Sequence, residues 1–414
     1  MQKKSNYHWI MVIACFLLLA VSIGVTVNCW NPLSVALMEK LGTTKSGVQG
    51  IFTIAALANL IGSALVGKIM AKFSMRKTMP IYAIILSGGI YLWSLCDSIS
   101  MYYLVAFMVG LGASGIAVVP CGALMNNWFS QKKGVAVGLA FSGSVVGGAI
   151  LIQITSYMLA HYNLQMTYTV LGIITAAISI PVTIFIIREH PRDMGLVPMG
   201  VASQAGGSSA LRGISLKKYI KTGSFWLLAI SIFLVSFINI GLQNNISLYL
   251  TTAKNYTLAD TANIITVMFV VSIFGKVILG YIYDKFGITF GALYGLVFLI
   301  ISIAFFINAS PEVVVFGIMF AALFALVNSM TTVAPPFVTA SIVGVKHYAT
   351  IFGIMNLFYG IGLVTGPQLV AKLSESFGSY TTVWMMLGGL GFIFAASTIL
   401  AANKGKGFSQ IAEA

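Results

Sequence analysis

The sequence predicts an all-α membrane protein with twelve transmembrane helices in two pseudo-symmetric six-helix bundles. Three observations predict it. Hydrophobic residues make up 58% of the 414 positions and charged residues 8%, and the mean hydropathy is +0.96. Soluble domains do not reach that balance. Apolar runs long enough to cross a hydrocarbon core recur along the whole chain. The second half of the chain repeats landmarks of the first.

Twelve runs are expected, at about 9–38, 46–70, 78–97, 101–127, 134–159, 166–188, 223–250, 258–283, 288–308, 312–340, 348–372 and 380–402. The first has no small-residue cleavage site and continues through Trp30-Asn31-Pro32. It therefore reads as a retained helix and not as a removed signal peptide. Trp30 itself reads as an interface anchor near the outer end of span one. Glycines at 110, 112 and 115 and at 134, 138, 143, 147 and 148 let spans four and five approach their neighbours closely. In span ten, Pro335-Pro336 is expected to break the helix locally and to act as a hinge or free a carbonyl.

The repeat fixes the domain organisation to expect. Gly67-Lys-Ile-Met-Ala71-Lys-Phe-Ser74 follows span two, and Gly280-Tyr-Ile-Tyr-Asp284-Lys-Phe-Gly287 follows span eight. Val21-Ser22 pairs with Val235-Ser236, and Pro120, Gly138 and Gly147 pair with Pro335, Gly353 and Gly362. The offset is nearly constant, as duplication of a six-span unit requires, and repeated halves around a midplane site are a common transporter design. The boundaries expected are 1–188 for the first bundle, 189–221 for a cytoplasmic linker with Gly206-Gly207-Ser208-Ser209, 222–403 for the second bundle and 404–414 for a tail.

A net charge of +14 could point to nucleic acid, but its distribution does not. With the N-terminus inside, 18 of the 23 Lys and Arg fall in cytoplasmic segments. Outside lie Lys40, Lys45, Lys254 and Lys372, and Lys276 lies within a span. This positive-inside pattern puts both termini in the cytoplasm, and anionic lipid on that leaflet accounts for the basic balance. The partners expected are the bilayer and a small anion, with no nucleic acid, no cofactor and a monomeric chain. Cys15, Cys29, Cys96 and Cys121 read as packing residues. His8, His161, His190 and His347 have no metal-ligand spacing, and every Asp lies at a membrane edge. No P-loop appears either. Enzyme and ATP-driven readings therefore find no support.

Lys276 is the residue that speaks to function. It sits in Val271-Ser-Ile-Phe-Gly275-Lys276-Val-Ile-Leu-Gly280, and Asp284 is eight residues on, roughly 12 Å at helical rise. A charge near the bilayer centre costs at least about 2.5 kcal/mol, and such residues face a bundle interior and meet a partner there. No Asp or Glu occupies the middle of a span. The expected partner is an anionic substrate, against the blander alternatives of snorkelling or neutralisation by a backbone carbonyl.

The paired Gly-x-x-x-Asp-Lys-Phe-Gly loops and the six-plus-six layout resemble the major facilitator superfamily across essentially the whole chain. Within it, Asn31-Pro32-Leu33-Ser34, the segment Trp128-Phe-Ser-Gln-Lys-Lys-Gly134 and the span-eight cation resemble the monocarboxylate transporters and the oxalate/formate antiporter branch. The resemblance implies that Lys276, standing where that branch carries Arg, binds the substrate carboxylate. It also implies that the two loops, through Asp284, Lys285, Arg76 and Lys72, brace one conformation by charge pairs. Ala71 stands where the family has Asp, and Ser74 where it has Gly. The first loop should therefore brace less well. Ser272 and Leu33 replace the acidic residue and the Lys of the proton-coupled scheme, and Tyr359 stands where the antiporter has a second Lys. One cation suits a monoanion better than a dianion. Spans one, seven, ten and eleven line the cavity in this family, which makes Tyr359, Asn356, Gln243 and Asn28 the further candidates for substrate binding. Asn239, Asn244 and Asn245 could instead bond span one through Ser22, Thr26 and Asn28.

The function expected is therefore transport of a small organic monoanion such as lactate, pyruvate or formate by alternating access. It would run as symport with a proton, exchange against a counter-anion, or uniport, in a plasma membrane. The alternatives are a carrier for a larger apolar or aromatic acid, a dicarboxylate/monocarboxylate exchanger, and a receptor that binds without transporting.

Overall fold

The computed structural model describes residues 7–129, 133–199, 214–344 and 348–410. Among them no strand forms beyond two isolated bridges. The helices are α1 (Tyr7–Ile23), α2 (Trp30–Leu41), α3 (Lys45–Phe73), α4 (Met75–Leu92), α5 (Ile99–Ser114), α6 (Val118–Trp128), α7 (Lys133–His161), α8 (Leu164–Pro181), α9 (Leu216–Tyr219), α10 (Gly223–Gln243), α11 (Ile246–Lys254), α12 (Leu258–Ile307), α13 (Val314–Asn328), α14 (Met330–Val343), α15 (Tyr348–Ser376) and α16 (Tyr380–Lys404). Eleven helical stretches are long and apolar enough to cross a membrane. One of them, α12, is 50 residues long and turns at Gly287, where φ is 77° and ψ is −175°. Only glycine tolerates that backbone readily, so the stretch is two spans, which makes twelve among the described residues.

Side-chain caps start the helices where the sequence supplies them. Thr44, Ser98, Asn163 and Thr222 each accept from a backbone N–H three residues on, satisfying a donor the helix cannot. Span one is not a single helix. A π turn at Gly24–Asn28 closes with Cys29 N donating to Gly24 O at 2.9 Å, and α2 restarts at Trp30. Pro32 carries no N–H and is tolerated in that first turn. Span seven breaks at Asn244–Asn245, the positions that the repeat, at an offset of 214, relates to Trp30–Asn31 at the start of α2. Spans four and ten likewise break at related places, after Ser114 and at Ser329.

The same symmetry shows in packing. A Cβ at Gly147 would lie 2.3 Å from Ala20 O, and one at Gly362 would lie 2.5 Å from Phe233 O. The absence of a side chain lets α7 close on α1 and α15 close on α10, backbone against backbone.

The chain divides into two compact units, one of Met1–Ala205 with Thr257–Thr266 and one of Gly206–Tyr256 with Val267–Ala414. In the first, Gln153 Nε2 donates to Asn263 Oδ1 at 3.1 Å and to Thr266 Oγ1 at 2.8 Å. The segment after span six also belongs to it: Trp128 Nε1 donates to Arg188 O at 2.9 Å and Met199 N to Trp128 O at 2.9 Å. In the second, Ile214 N donates to Val343 O at 3.1 Å, which seats the approach to α10. The glycine-serine stretch 206–209 expected of the linker lies outside the described residues, as do Ser130, Gln131, Lys132, Lys346 and His347.

Trp30 corrects an expectation. It is 2% exposed, and its Nε1 donates to Gln49 Oε1 at 2.8 Å. It is a core residue of the first unit and not an interface anchor, because restarting the helix after the π turn swings its ring onto α3. The prolines of span ten correct another. The break falls at Ser329, and Pro335 and Pro336 lie inside α14. A proline removes the donor to the carbonyl four residues earlier, so Thr331 and Thr332 lose their helical donors while the helix continues.

Candidate functional site

Lys276 sits on α12 one turn beyond Ser272, on the side that meets the α13–α14 break. Ser272 Oγ donates to Met268 O at 2.8 Å, and Ser329 Oγ donates to Ser272 O at 3.2 Å and Ala325 O at 2.9 Å. A Cβ at Gly275 would come 2.5 Å from Ser329 Oγ. The small residues Ser272 and Gly275 thus draw α12 against the break, and Tyr283 stacks on Phe337 further along with ring centroids 4.7 Å apart. Lys276 is half-buried beside this seam. Among the described residues its ammonium has no hydrogen bond, and the Lys40–Asp97 ion pair and the His190–Glu189 contact lie elsewhere.

A second polar group collects in the same unit. The Tyr359 hydroxyl of α15 faces the hydroxyls of Thr331 on α14 and Ser236 on α10. Neither contact reaches hydrogen-bond geometry: Thr331 Oγ1 donates to Asn328 O at 2.6 Å, and Ser236 Oγ is buried without a hydrogen bond, as is Asn239 Oδ1 one turn along α10. Leaving such groups unmet costs about 1–3 kcal/mol each. Gln243, at 4% exposure, continues the face. Asn356 lies one turn before Tyr359 and is exposed.

The second unit therefore brings Tyr359, Thr331 and Ser236 together. It places Lys276 next to Gly275, which abuts Ser329, two residues before Thr331. No hydrogen bond joins Lys276 to Tyr359, Asn356 or Gln243. Asn28 is committed elsewhere, its Nδ2 donating to Ser144 O at 2.8 Å in the first unit. Of the other amides of span seven, Asn239 and Asn245 bond within their own unit. Asn239 Nδ2 donates to Val235 O, and Asn245 Nδ2 donates to Gly241 O and Pro367 O. Sequence reasoning missed Thr331 and Ser329. Their signal was a polar pair at the position that the repeat relates to the Gly115 break of span four.

The paired loops are less alike in charge than in backbone. Asp284 is exposed, and Lys285 Nζ donates to Tyr281 OH at 2.9 Å. Lys72 lies over the Phe73 ring at 5.3 Å, and Arg76 is exposed. None of the four forms an ion pair among the described residues. In the first unit another residue caps the loop. Glu189 accepts from Ser74 Oγ at 2.5 Å and from Met75 N at 3.0 Å. Ser74, like its counterpart Gly287, has positive φ, here 67°. A non-glycine residue in that region is strained, and the carboxylate cap on α4 offsets the strain.

A model described as Major Facilitator Superfamily matches residues 10–367. The chain belongs to the Major Facilitator Superfamily. Among curated members, this facilitator is 24% identical over 368 residues to the MFS-type transporter YhjX of Escherichia coli, with 87% of each chain covered. It is 22% identical to monocarboxylate transporter 12 of Rattus norvegicus, covering 99% of this chain and 86% of that one. Solved relatives share the fold. A bacterial homologue of the lysosomal transporter Spinster superposes with a TM-score of 0.75 at 15% identity, covering 97% of this chain and 98% of that one. The nucleoside transporter NupG superposes with a TM-score of 0.76 at 12% identity, covering 94% and 99%. The protein is thus a multi-pass membrane transporter of the superfamily, handling a small molecule.

Proposed function

We propose that this facilitator carries a small organic monoanion, a monocarboxylate of lactate, pyruvate or formate size, by alternating access, with Lys276 neutralising the carboxylate. The observation that carries the reading is the ammonium itself: half-buried in an apolar span, with no hydrogen bond or ion pair among the described residues. Such a charge is costly unless something meets it, and an anionic substrate would. The likeness to monocarboxylate transporter 12 supports the class. Lys is a point charge and does not orient a carboxylate as a guanidinium fork does. Orientation would fall to the Tyr359 hydroxyl, with Asn356 and Gln243 as further donors. The same reading has a monomer in a plasma membrane with both termini in the cytoplasm, and two bundles, 1–188 and 222–403, joined by the linker 189–221.

Uptake of labelled lactate, pyruvate, formate, oxalate and benzoate into proteoliposomes tests it, for wild type and Lys276→Ala, with and without internal anion. Transport of a monocarboxylate that Lys276→Ala abolishes is the expected result, and dependence on internal anion identifies exchange. Normal transport by Lys276→Ala would remove the support for an anionic substrate.

A further inference from the structure

Lys72, Lys77 and Arg192 line a cavity of about 590 Å³ in the first unit, between the end of α3 with the start of α4 and the segment that follows span six. Two carboxylates share the wall, but both are engaged. Glu189 caps Ser74 and Met75 and pairs with His190 at 3.8 Å. Asp193 accepts from His190 N at 3.0 Å. The three cations have no ion pair among the described residues. Three cations against two carboxylates leave this concave wall with a net charge of +1, which attracts an anion.

We propose that this cavity binds a phosphate-bearing anion, distinct from the substrate of the Lys276 site. Lysines approach phosphate as point charges, and Arg192 adds a fork that matches two phosphate oxygens. The charge distribution along the chain puts this end of the unit on the cytoplasmic side, where acidic lipid headgroups and free phosphates both occur. The cavity lies at the end of α3, where the apolar run of span two, about 46–70, gives way to Lys72. Phe73 beside it is 54% exposed. That is the depth of a lipid headgroup, and basic pockets at such depth hold acidic headgroups.

The test is thermal unfolding of the full chain in neutral detergent, titrated with dioctanoyl phosphatidylglycerol, with dioctanoyl phosphatidylcholine or with inorganic phosphate. It compares wild type, the triple variant Lys72→Gln/Lys77→Gln/Arg192→Gln, and Lys72→Arg/Lys77→Arg. Phosphatidylglycerol is expected to raise the wild-type midpoint and phosphatidylcholine is not. Each cation removed should weaken binding roughly fivefold, and the triple variant by about a hundredfold, while the arginine variant retains binding. A shift with phosphatidylglycerol alone identifies the lipid headgroup. An equal shift with phosphate identifies a free anion, and both outcomes support the site. If the triple variant does not fold, Arg192→Gln alone should still show its fivefold loss. No shift with either anion, or the same shift in wild type and variants, overturns the proposal. Transport by Lys276→Ala does not enter this readout, so the two proposals fail separately.

Discussion

Lys276 and Tyr359 would both donate to an ionised carboxylate, and a hydrogen bond to a charged group contributes about 1.5–3 kcal/mol. Lys276→Gln and Tyr359→Phe should therefore each lower the apparent affinity for the carried anion by about tenfold to a hundredfold, with Lys276→Gln nearer the upper end because it also removes the countercharge. Concentration-dependent uptake in proteoliposomes measures both, and an unchanged affinity in Tyr359→Phe would remove that hydroxyl from the site. Lys276 was legible in the sequence because a charge inside an apolar run is conspicuous in any register. Thr331 and Ser236 were not, because a hydroxyl can satisfy itself on its own helix. Ser22, Thr155 and Thr175 do so with the carbonyl four residues back. Only packing reveals which hydroxyls also face a neighbouring helix, as Thr331 does while it donates to Asn328 O at 2.6 Å.

At the scale of elements, close packing and turn geometry make firmer claims than charge. The twelve runs were readable from hydropathy, and the breaks within them were not. A π turn at Gly24–Asn28 or a restart at Asn245 changes no residue's hydropathy, and Pro335 leaves its helix intact while Ser329 does not. The consequences are measurable. Gly147→Val puts a branched side chain where even a Cβ would meet the α1 backbone at 2.3 Å. It should lower stability by about 1–3 kcal/mol or more, seen as an earlier midpoint in a detergent melt. Gly287→Ala forces a side chain into a backbone region that costs on the order of 1–3 kcal/mol. Ser74 already bears such a strain, and Glu189 holds it by two hydrogen bonds. Glu189→Gln, which keeps the shape and loses the charge, should destabilise by about 1 kcal/mol. No change in that variant would mean that α4 is held by its packing alone.

For the whole molecule, the distribution of 23 basic residues is the quantity that orients the chain. Loops carrying Lys and Arg resist translocation, and the bias here has one sign from end to end. A C-terminal fusion tests the net result. Green fluorescent protein joined after the last residue should fluoresce, and alkaline phosphatase in the same place should be inactive, because each folds on only one side of a bacterial inner membrane. The reverse pattern would turn the chain over. It would put Lys72, Lys77 and Arg192 on the outer face, away from the cytoplasmic pool of phosphate. The lipid arm of the anion titration would then be the one that survives, since acidic headgroups can occupy either leaflet. Orientation and ligand are therefore coupled: a free phosphate as the physiological ligand requires the fluorescent outcome, and the headgroup does not.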